Sequence, residues 1–453
     1  MAAHDQPGLS NLTIDVAVVG RDGRTSAILQ RCAESPRARR VIEVPEVSPA
    51  RLEDLTGRLE ELGFGDGCEA VVIVGPEAPL CAGLADRLED ELALPVFGPR
   101  QAQARIEASK SWARELVARH GISGNPEHRV VRRGEEHAVE AVLREYEARL
   151  GGYVVKPDGL TGGKGVKVSG EHLGSIEEGV EYARAALEAD GVVVVEERLD
   201  GEEFSLQTIT DGTTSWHLPV VQDHKRAFEG DTGPNTGGMG SYSMADHSLP
   251  FLDQAELDAA REINERVVRA LGEELGSPYR GVLYGGFMAT GDGVRLVEYN
   301  CRLGDPEATN VLSILACDFV EVAHAAATGR LDQVALAVEP AATVCKYVVP
   351  EAYPGTGGSG EEIDATALGP LVEEGSLRCY WAGVSRREGE LRATMLGSRA
   401  LAVVGVAGTL EEAERRAEQG ARLVAGPVRH RSDIGTAALV ERRLAHMSRL
   451  RMR

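Results

Sequence analysis

One stretch constrains this chain more than any other: Tyr153 to Gly170, YVVKPDGLTGGKGVKVSG, an apolar run that ends in a lysine and breaks at once into glycines. The β-branched and aromatic residues up to Lys156 predict a buried strand, and Gly159, Gly162, Gly163 and Gly165 predict a loop with bare backbone. Glycines allow successive N–H groups to turn toward one anion, and Lys156 and Lys164 bracket the loop, so it can close over phosphate. The spacing fits neither GxxxxGK[ST] nor GxGxxG, which leaves a flexible hairpin as the alternative.

The use of lysine sharpens the choice. Only six of the 49 basic residues are lysine, at 110, 156, 164, 167, 225 and 346. A chain that uses arginine wherever any cation serves keeps lysine where a compact three-donor ammonium matters, as against phosphate in a narrow site. Lys167 and Lys346 can equally be accidental. The chain is long enough for several domains at 453 residues, and 43% hydrophobic residues build real cores. A net charge of −22 argues against nucleic acid or an anionic membrane as partner. Seven cysteines form no CxxC pair and no metal spacing, so they read as reduced, buried thiols. The polar start MAAHDQPGLS has no basic-then-apolar pattern and no window approaches a transmembrane span, so the expected location is cytoplasmic.

At the N-terminus, strands at 13–20, 41–44 and 70–74 alternate with helices at 25–35 and 51–62, a parallel βαβαβ unit. Its crevice lies at the carboxyl ends of the strands, which brings Gly20-Arg21-Asp22-Gly23-Arg24 and Gly75-Pro76-Glu77 to the rim. The arginines there either hold an anion or are solvated in an ordinary turn. A helix over 102–119 carries Lys110. Residues 127–195 then read as a small mixed domain around the glycine loop, able to close like a lid.

Glu196, Glu197 and Glu203 follow the apolar strand at 192–195 and can accept from adenine or ribose, or form a solvated acidic turn. The segment Val221 to Ser243, VQDHKRAFEGDTGPNTGGMGSYS, is too structured in composition for a linker and reads as a binding loop; its His224 is either an acid–base group or a hydrogen-bonded structural residue. Glu298 and Asn300 alternate on a predicted strand and so share a face, offering two oxygen ligands to a hard cation. Cys301 reads as packing. Beyond 342 an α+β cap carries no chemistry of its own, with Arg399 reaching the site or serving structure.

Together IVGPEAPL, KPDGLTGGKGV, VEERLDGEEFSLQ, QDHKRAFEGDTGPNTGGMGSYS, GVLYGGFM and EYNCRLGDPEA resemble the phosphoribosylamine-glycine ligases, a branch of the ATP-grasp superfamily, over nearly everything from Val74 onward. The resemblance implies a multidomain α/β and α+β fold: a Rossmann-like parallel-sheet domain over 1–122, an ATP-grasp domain over 123–335 with its lid near 126–195, and a C-terminal α+β domain over 336–453. It implies ATP held by Lys110, Lys156, Gly162, Gly163 and Lys164, with Glu196, Glu197 and Leu199 along adenine and Glu203 on ribose. Glu298 and Asn300 would hold Mg²⁺ or Mn²⁺. Catalysis would fall to Asp223, Lys225, Arg302 and Asp305 around glycyl phosphate. Gly20, Gly23, Arg24, Gly75, Pro76, Glu77, Asn235, Gly237 and Gly238 would bind substrate. Small molecules are the implied partners of a monomer or homodimer in purine biosynthesis, and no protein nucleophile is required.

Two features depart from that pattern. The family's GxGGREHA turn reads here Gly20-Arg21-Asp22-Gly23-Arg24-Thr25-Ser26-Ala27, and its Pro-Gly-Asn loop is absent after Val44-Pro45-Glu46. An aspartate aimed at a ribose phosphate repels it. The alternatives are therefore a related ligase that activates glycine, or a similar amino acid, for another amine, and an ATP-binding protein without catalysis.

Overall fold

The computed structural model describes residues 13–45, 52–160, 162 and 165–452. Gly163, Lys164, Glu46 and the expected helix start at Arg51 lie outside the described residues.

The first strand, Ile14–Val19, is buried at every position. Such a strand needs cover on both faces, as parallel sheets have. It pairs in parallel with Ala38–Val44 on one side and Glu69–Val74 on the other, and Val96–Phe97 completes the sheet. The helix Gly23–Ala33 starts at Asp22, whose carboxylate caps it by accepting from the Thr25 N–H. Gly20, at φ +134°, lies so close that a Cβ there would stand 2.4 Å from Thr25 Oγ1, which keeps the strand-end turn tight against the helix.

The sequence predicts one helix over 102–119, and the structure has two: Gln101–Ala108 and Lys110–Arg119. The break is chemical. Ser109 is extended and its hydroxyl accepts from the Trp112 N–H as an N-cap, while Asp158 accepts from the Ser109 hydroxyl at 2.9 Å and from the Ser111 N–H at 2.6 Å. Lys110, expected within one continuous helix, is thus the first residue of the second, facing the glycine loop.

The lid is a four-stranded sheet in the order His128–Arg132, Val192–Glu197, Tyr153–Pro157, Lys167–Val168, with helices Val139–Leu150 and Ile176–Asp190 packed on it over a core of its own. The central sheet is antiparallel, ordered Ser215–His217, Gly201–Thr210, Gly281–Thr290, Gly293–Asn300, and the long helix Gln254–Leu275 covers it. A fourth sheet joins two parts of the chain: Gln222–Asp223 and Gly240–Ser243, from the expected binding loop, continue into Ala342–Pro350, Leu401–Ala407 and Leu377–Trp381. The expected loop is therefore partly strand, anchored by the C-terminal sheet. The last helix, Ala437–Arg451, packs on the central-sheet strands Gly201–Thr210 and Gly281–Thr290, and its Arg443 meets Glu202 and Asp231.

Candidate functional site

Between the lid, the central sheet and the N-terminal strand ends lies a cavity of about 570 Å³. Lys110, Lys156, Gly162, Glu196 and Glu203 line it, as do Asp223, Lys225, Glu298, Asn300, Arg302 and Asp305. From the N-terminal rim come Asp22, Arg24 and Glu77, and from the binding loop Asn235 and Gly237. The structure does not bring Gly20, Gly23, Gly75, Pro76, Gly238, Glu197 or Leu199 into the cavity wall. The Glu197 carboxylate instead accepts from the Glu127 N–H.

On the lid side the dominant feature is an ion triad. Arg114 donates to both oxygens of Glu196 at 2.7 and 2.9 Å, and the Lys156 ammonium stands 2.7 Å from the second. All three are buried. Burial pushes the Glu196 carboxyl up, but Arg114 and Lys156 together outweigh it and hold it at about 2. Burial wins on Lys156, which is held below the usual ammonium range despite Glu196. Arg114 and Lys156 also both donate to the Val297 carbonyl, tying the lid and the second short helix to the strand that carries Glu298. Lys110 donates to the carbonyls of Gly159, at 2.8 Å, and Asp158 at 3.4 Å.

Glu298 and Asn300 do share the cavity face of their strand. Lys225 Nζ lies 3.7 Å from Glu298 and 3.0 Å from Glu203. Burial raises the Glu298 carboxyl, yet Lys225, Lys156 and Lys110 outweigh it, so it is ionised. No cluster of three or more His, Cys, Asp or Glu metal ligands occurs among the described residues. One carboxylate and one amide oxygen beside Lys110, Lys156 and Lys225 nevertheless fit a Mg²⁺-type ion, which takes few protein ligands and completes its shell with phosphate and water.

The other half of the cavity is built from pairings that the sequence did not reveal. Arg302 meets Glu77 at 3.2 Å and Glu107 at 3.1 Å, and Glu107 also accepts from the Cys301 N–H. Glu307, buried, accepts from the Tyr284 hydroxyl at 2.7 Å. Burial, and then the charge of Glu307, push Asp223 well above the usual carboxylate range. Asp305 accepts from Tyr347 at 2.6 Å and Arg399 at 2.9 Å, both from the C-terminal domain. Glu107, Arg114 and Tyr347 had no local signal, since each is defined by a partner far away in sequence, and Glu307, though part of the EYNCRLGDPEA motif, gave no sign of its pairing with Tyr284.

His224 is a structural residue. It is buried, its Nδ1 lies 3.3 Å from the Gly240 carbonyl, and burial, followed by Arg431, holds its imidazole at about 3 and hence neutral. Cys301 is buried, and its contact with Cys81 together with burial pushes the thiol well above its usual range, so it is no nucleophile. At the N-terminal rim Asp22 is less hostile than a bare aspartate. Burial raises it, but Arg24 and the Thr25 donors hold it at about 2, and its charge is shared with Arg24 at 2.5 Å.

A lid sheet and an antiparallel core sheet clasping a lysine-lined cavity define the ATP-grasp class, and the phosphoribosylglycinamide synthetase ATP-grasp (A) domain matches residues 108–308. The N domain of the same family matches 14–107, across the altered turn, and its C domain matches 343–437. The chain belongs to the phosphoribosylglycinamide synthetase family. A phosphoribosylamine–glycine ligase of Methanocella arvoryzae is 43% identical over 446 residues, 96% of this chain and 99% of that one. Another from Methanoregula boonei is 49% identical over 377 residues, 83% of this chain and 84% of its own length. The crystal structure of the phosphoribosylamine–glycine ligase of Thermotoga maritima superposes with a TM-score of 0.72 at 27% identity, covering 92% of this chain and 99% of that one. Biotin carboxylase from Campylobacter jejuni, at 13% identity and a TM-score of 0.66, shares the fold.

Proposed function

We propose that this chain is an ATP-dependent carboxylate–amine ligase that joins glycine to 5-phosphoribosylamine, giving glycinamide ribonucleotide, ADP and phosphate in purine biosynthesis. The observation that carries the reading is one cavity holding Lys110, Lys156 and Lys225 together with Glu298 and Asn300, in a chain that matches all three domains of the family.

In the first step a glycine carboxylate oxygen attacks the γ-phosphorus and ADP leaves. In the second the amine nitrogen attacks the acyl carbon, inorganic phosphate leaves, and the nitrogen gives up a proton. Lys110, Lys156 and the loop around Gly162 to Lys164 hold the phosphates, and Lys225 meets the transferring group. Lys225 suits this task because Glu203, Glu298 and Asp223 outweigh its burial and keep it charged. Glu298 and Asn300 would hold magnesium or manganese, which would supply charge neutralisation to the phosphates. Asp223 and Glu307 both line the cavity, and the charge of Glu307 helps push Asp223 up; a glycine ammonium bound beside them would relieve that repulsion and take them as its counter-charge. The Glu196 carboxylate is occupied by Arg114 and Lys156, so adenine contacts at this strand end fall to its backbone and to Glu203 for ribose. These chemistries suit a cytoplasmic enzyme divided near 122 and 335, with its lid over about 126–195; no helix among the described residues is long and apolar enough to cross a membrane.

Asp22 favours a second reading, a ligase acting on a different amine, because a carboxylate at the first helix start disfavours phosphate there. The test is ADP release with ATP, Mg²⁺ and glycine, with and without phosphoribosylamine, followed by mass spectrometry. Glycinamide ribonucleotide supports the first reading. ADP formed only with another amine overturns it in favour of the second.

A further inference from the structure

Arg399 comes from the C-terminal domain, from the turn between Arg392–Leu396 and Leu401–Ala407, and enters the cavity wall. Its side chain is 13% exposed. One guanidinium nitrogen donates to the carbonyls of Gly237 at 2.5 Å, Gly238 at 3.1 Å and Asp305 at 3.0 Å, and the other donates to the Asp305 carboxylate at 2.9 Å. The guanidinium carbon lies 4.5 Å from the centre of the Tyr347 ring, whose hydroxyl donates to the other Asp305 oxygen at 2.6 Å. Both oxygens of a cavity carboxylate are therefore held by the domain expected to carry no chemistry.

The same contacts reach two further groups. Gly238 sits at φ +106°, and a Cβ there would stand 2.6 Å from Asp223 Oδ1 and 2.5 Å from Pro306 Cδ, so the turn that Arg399 grips is in close contact with Asp223. A Cβ on Gly23 would lie 1.9 Å from the Tyr347 hydroxyl, which brings the first helix of the N-terminal domain against the same tyrosine. Among the described residues, Lys110, Lys156 and Glu196 make their hydrogen bonds and ion pairs elsewhere, with Asp158, Gly159, Arg114 and Val297 and with one another.

We propose that Arg399, backed by Tyr347, is a positioning residue for the glycine and amine half of the site: the C-terminal domain sets where Asp305, Asp223 and the Gly237–Gly238 turn meet substrate, and leaves nucleotide binding alone. Arginine suits this because a planar fork can bridge four acceptors on two loops and stack on a ring, which an ammonium cannot. The inference rests on the ligase reading above.

The experiment compares the full chain with Arg399→Ala, Arg399→Lys, Tyr347→Phe and, as a control, Arg392→Ala, which removes an exposed ion pair with Asp364 in the same domain. Steady-state kinetics with each substrate varied are read beside the affinity for a non-hydrolysable ATP analogue with Mg²⁺. The expected result is a loss of about a hundredfold in kcat/KM for glycine or phosphoribosylamine in Arg399→Ala, the scale of a roughly 1 Å misplacement. Nucleotide affinity should stay within about threefold of wild type. Methylguanidinium should restore part of the lost rate, Arg399→Lys should not, and Tyr347→Phe should lose several-fold. Unchanged kinetics in Arg399→Ala, or an equal loss of nucleotide affinity, overturns the inference. Should Arg399→Ala fail to fold, Arg399→Lys and Tyr347→Phe decide by the same split. A wild-type protein that forms no product overturns the ligase reading itself, and the inference with it.

Discussion

Glu196→Gln isolates the most buried charge cluster in the cavity. The substitution keeps the shape of the side chain and removes the one anion between Arg114 and Lys156, leaving two cations buried at 4% and 8% side-chain exposure. Two routes give the size of the effect. Depression of the Glu196 carboxyl from 4.5 to about 2 corresponds to roughly 3 kcal/mol of stability at neutral pH. Removal of one partner from a buried pair costs about 3–5 kcal/mol. Because burial holds Lys156 below its usual range even with Glu196 present, the net worth of the intact triad is smaller than either figure; the variant reads the cost of breaking it. The sign follows from the direction of the shift. A depressed carboxyl stabilises the fold fully above about pH 4.5 and loses that contribution as pH falls toward 2. Urea denaturation followed by fluorescence, with Trp112 as the tryptophan of the Lys110–Arg119 helix, should thus place Glu196→Gln about 3–5 kcal/mol below wild type at pH 7. At pH 3.5 the gap should narrow by roughly 1 kcal/mol or more. A gap under about 1 kcal/mol at pH 7, or one that does not change with pH, would refute the assignment of Glu196 as the ionised centre of this cluster.

Glu298→Ala should abolish turnover while urea stability changes by less than about 1 kcal/mol, and undiminished activity would remove Glu298 from the metal site. Asp22→Gly frees Arg24 from its carboxylate and should lower KM for phosphoribosylamine about tenfold, at a cost of a few tenths of a kcal/mol of helix capping; a raised KM would mean that Asp22 itself binds the amine substrate. Lys110→Met should weaken binding of the ATP analogue at least about tenfold, measured by calorimetry, with little loss of stability because no carboxylate is left unpaired.

Much of this fold can be read from local pattern. The parallel N-terminal unit, the lid order and the helix Gln254–Leu275 follow from apolar runs and caps, and the family motifs bring the ATP-grasp core and its lysines with them. The lysines divide between the cavity and the packing. Lys110, Lys156 and Lys225 line the cavity, whereas Lys346 is buried outside its wall with its ammonium donating to Glu414, Glu418 and the Ser432 carbonyl at 2.6–2.7 Å. Three donors meet three acceptors there, so that lysine is kept for structure, a need that composition cannot distinguish from phosphate binding. The break at Ser109 was hidden because its cause, Asp158, lies 49 residues away. The residues of the other half of the cavity were named by the motifs, but their pairings were hidden for the same reason: Arg399 meets Asp305 across 94 residues, and Arg302 meets Glu77 across 225. Nothing local marks a side chain whose role is fixed by a partner in another domain.

The pairing of the cavity cations has a physical cause and a consequence. A cation held away from water without a partner costs several kcal/mol, so a fold that must stand before substrate arrives cannot leave the cations of this cavity bare. Accordingly Lys156 meets Glu196, Lys225 meets Glu203 and Glu298, Arg302 meets Glu77 and Glu107, Arg24 meets Asp22, and Arg399 meets Asp305. Each partner fixes its cation in position and also takes up part of its charge, which limits how tightly the site can hold any one phosphate oxygen. Lys110 differs, since its ammonium is held by carbonyl dipoles of the glycine loop. A phosphate there displaces no carboxylate. Discrimination for the triphosphate should therefore be concentrated at Lys110 and the loop beside it, while the paired cations contribute geometry, which favours the transition state over tight binding of the ground state.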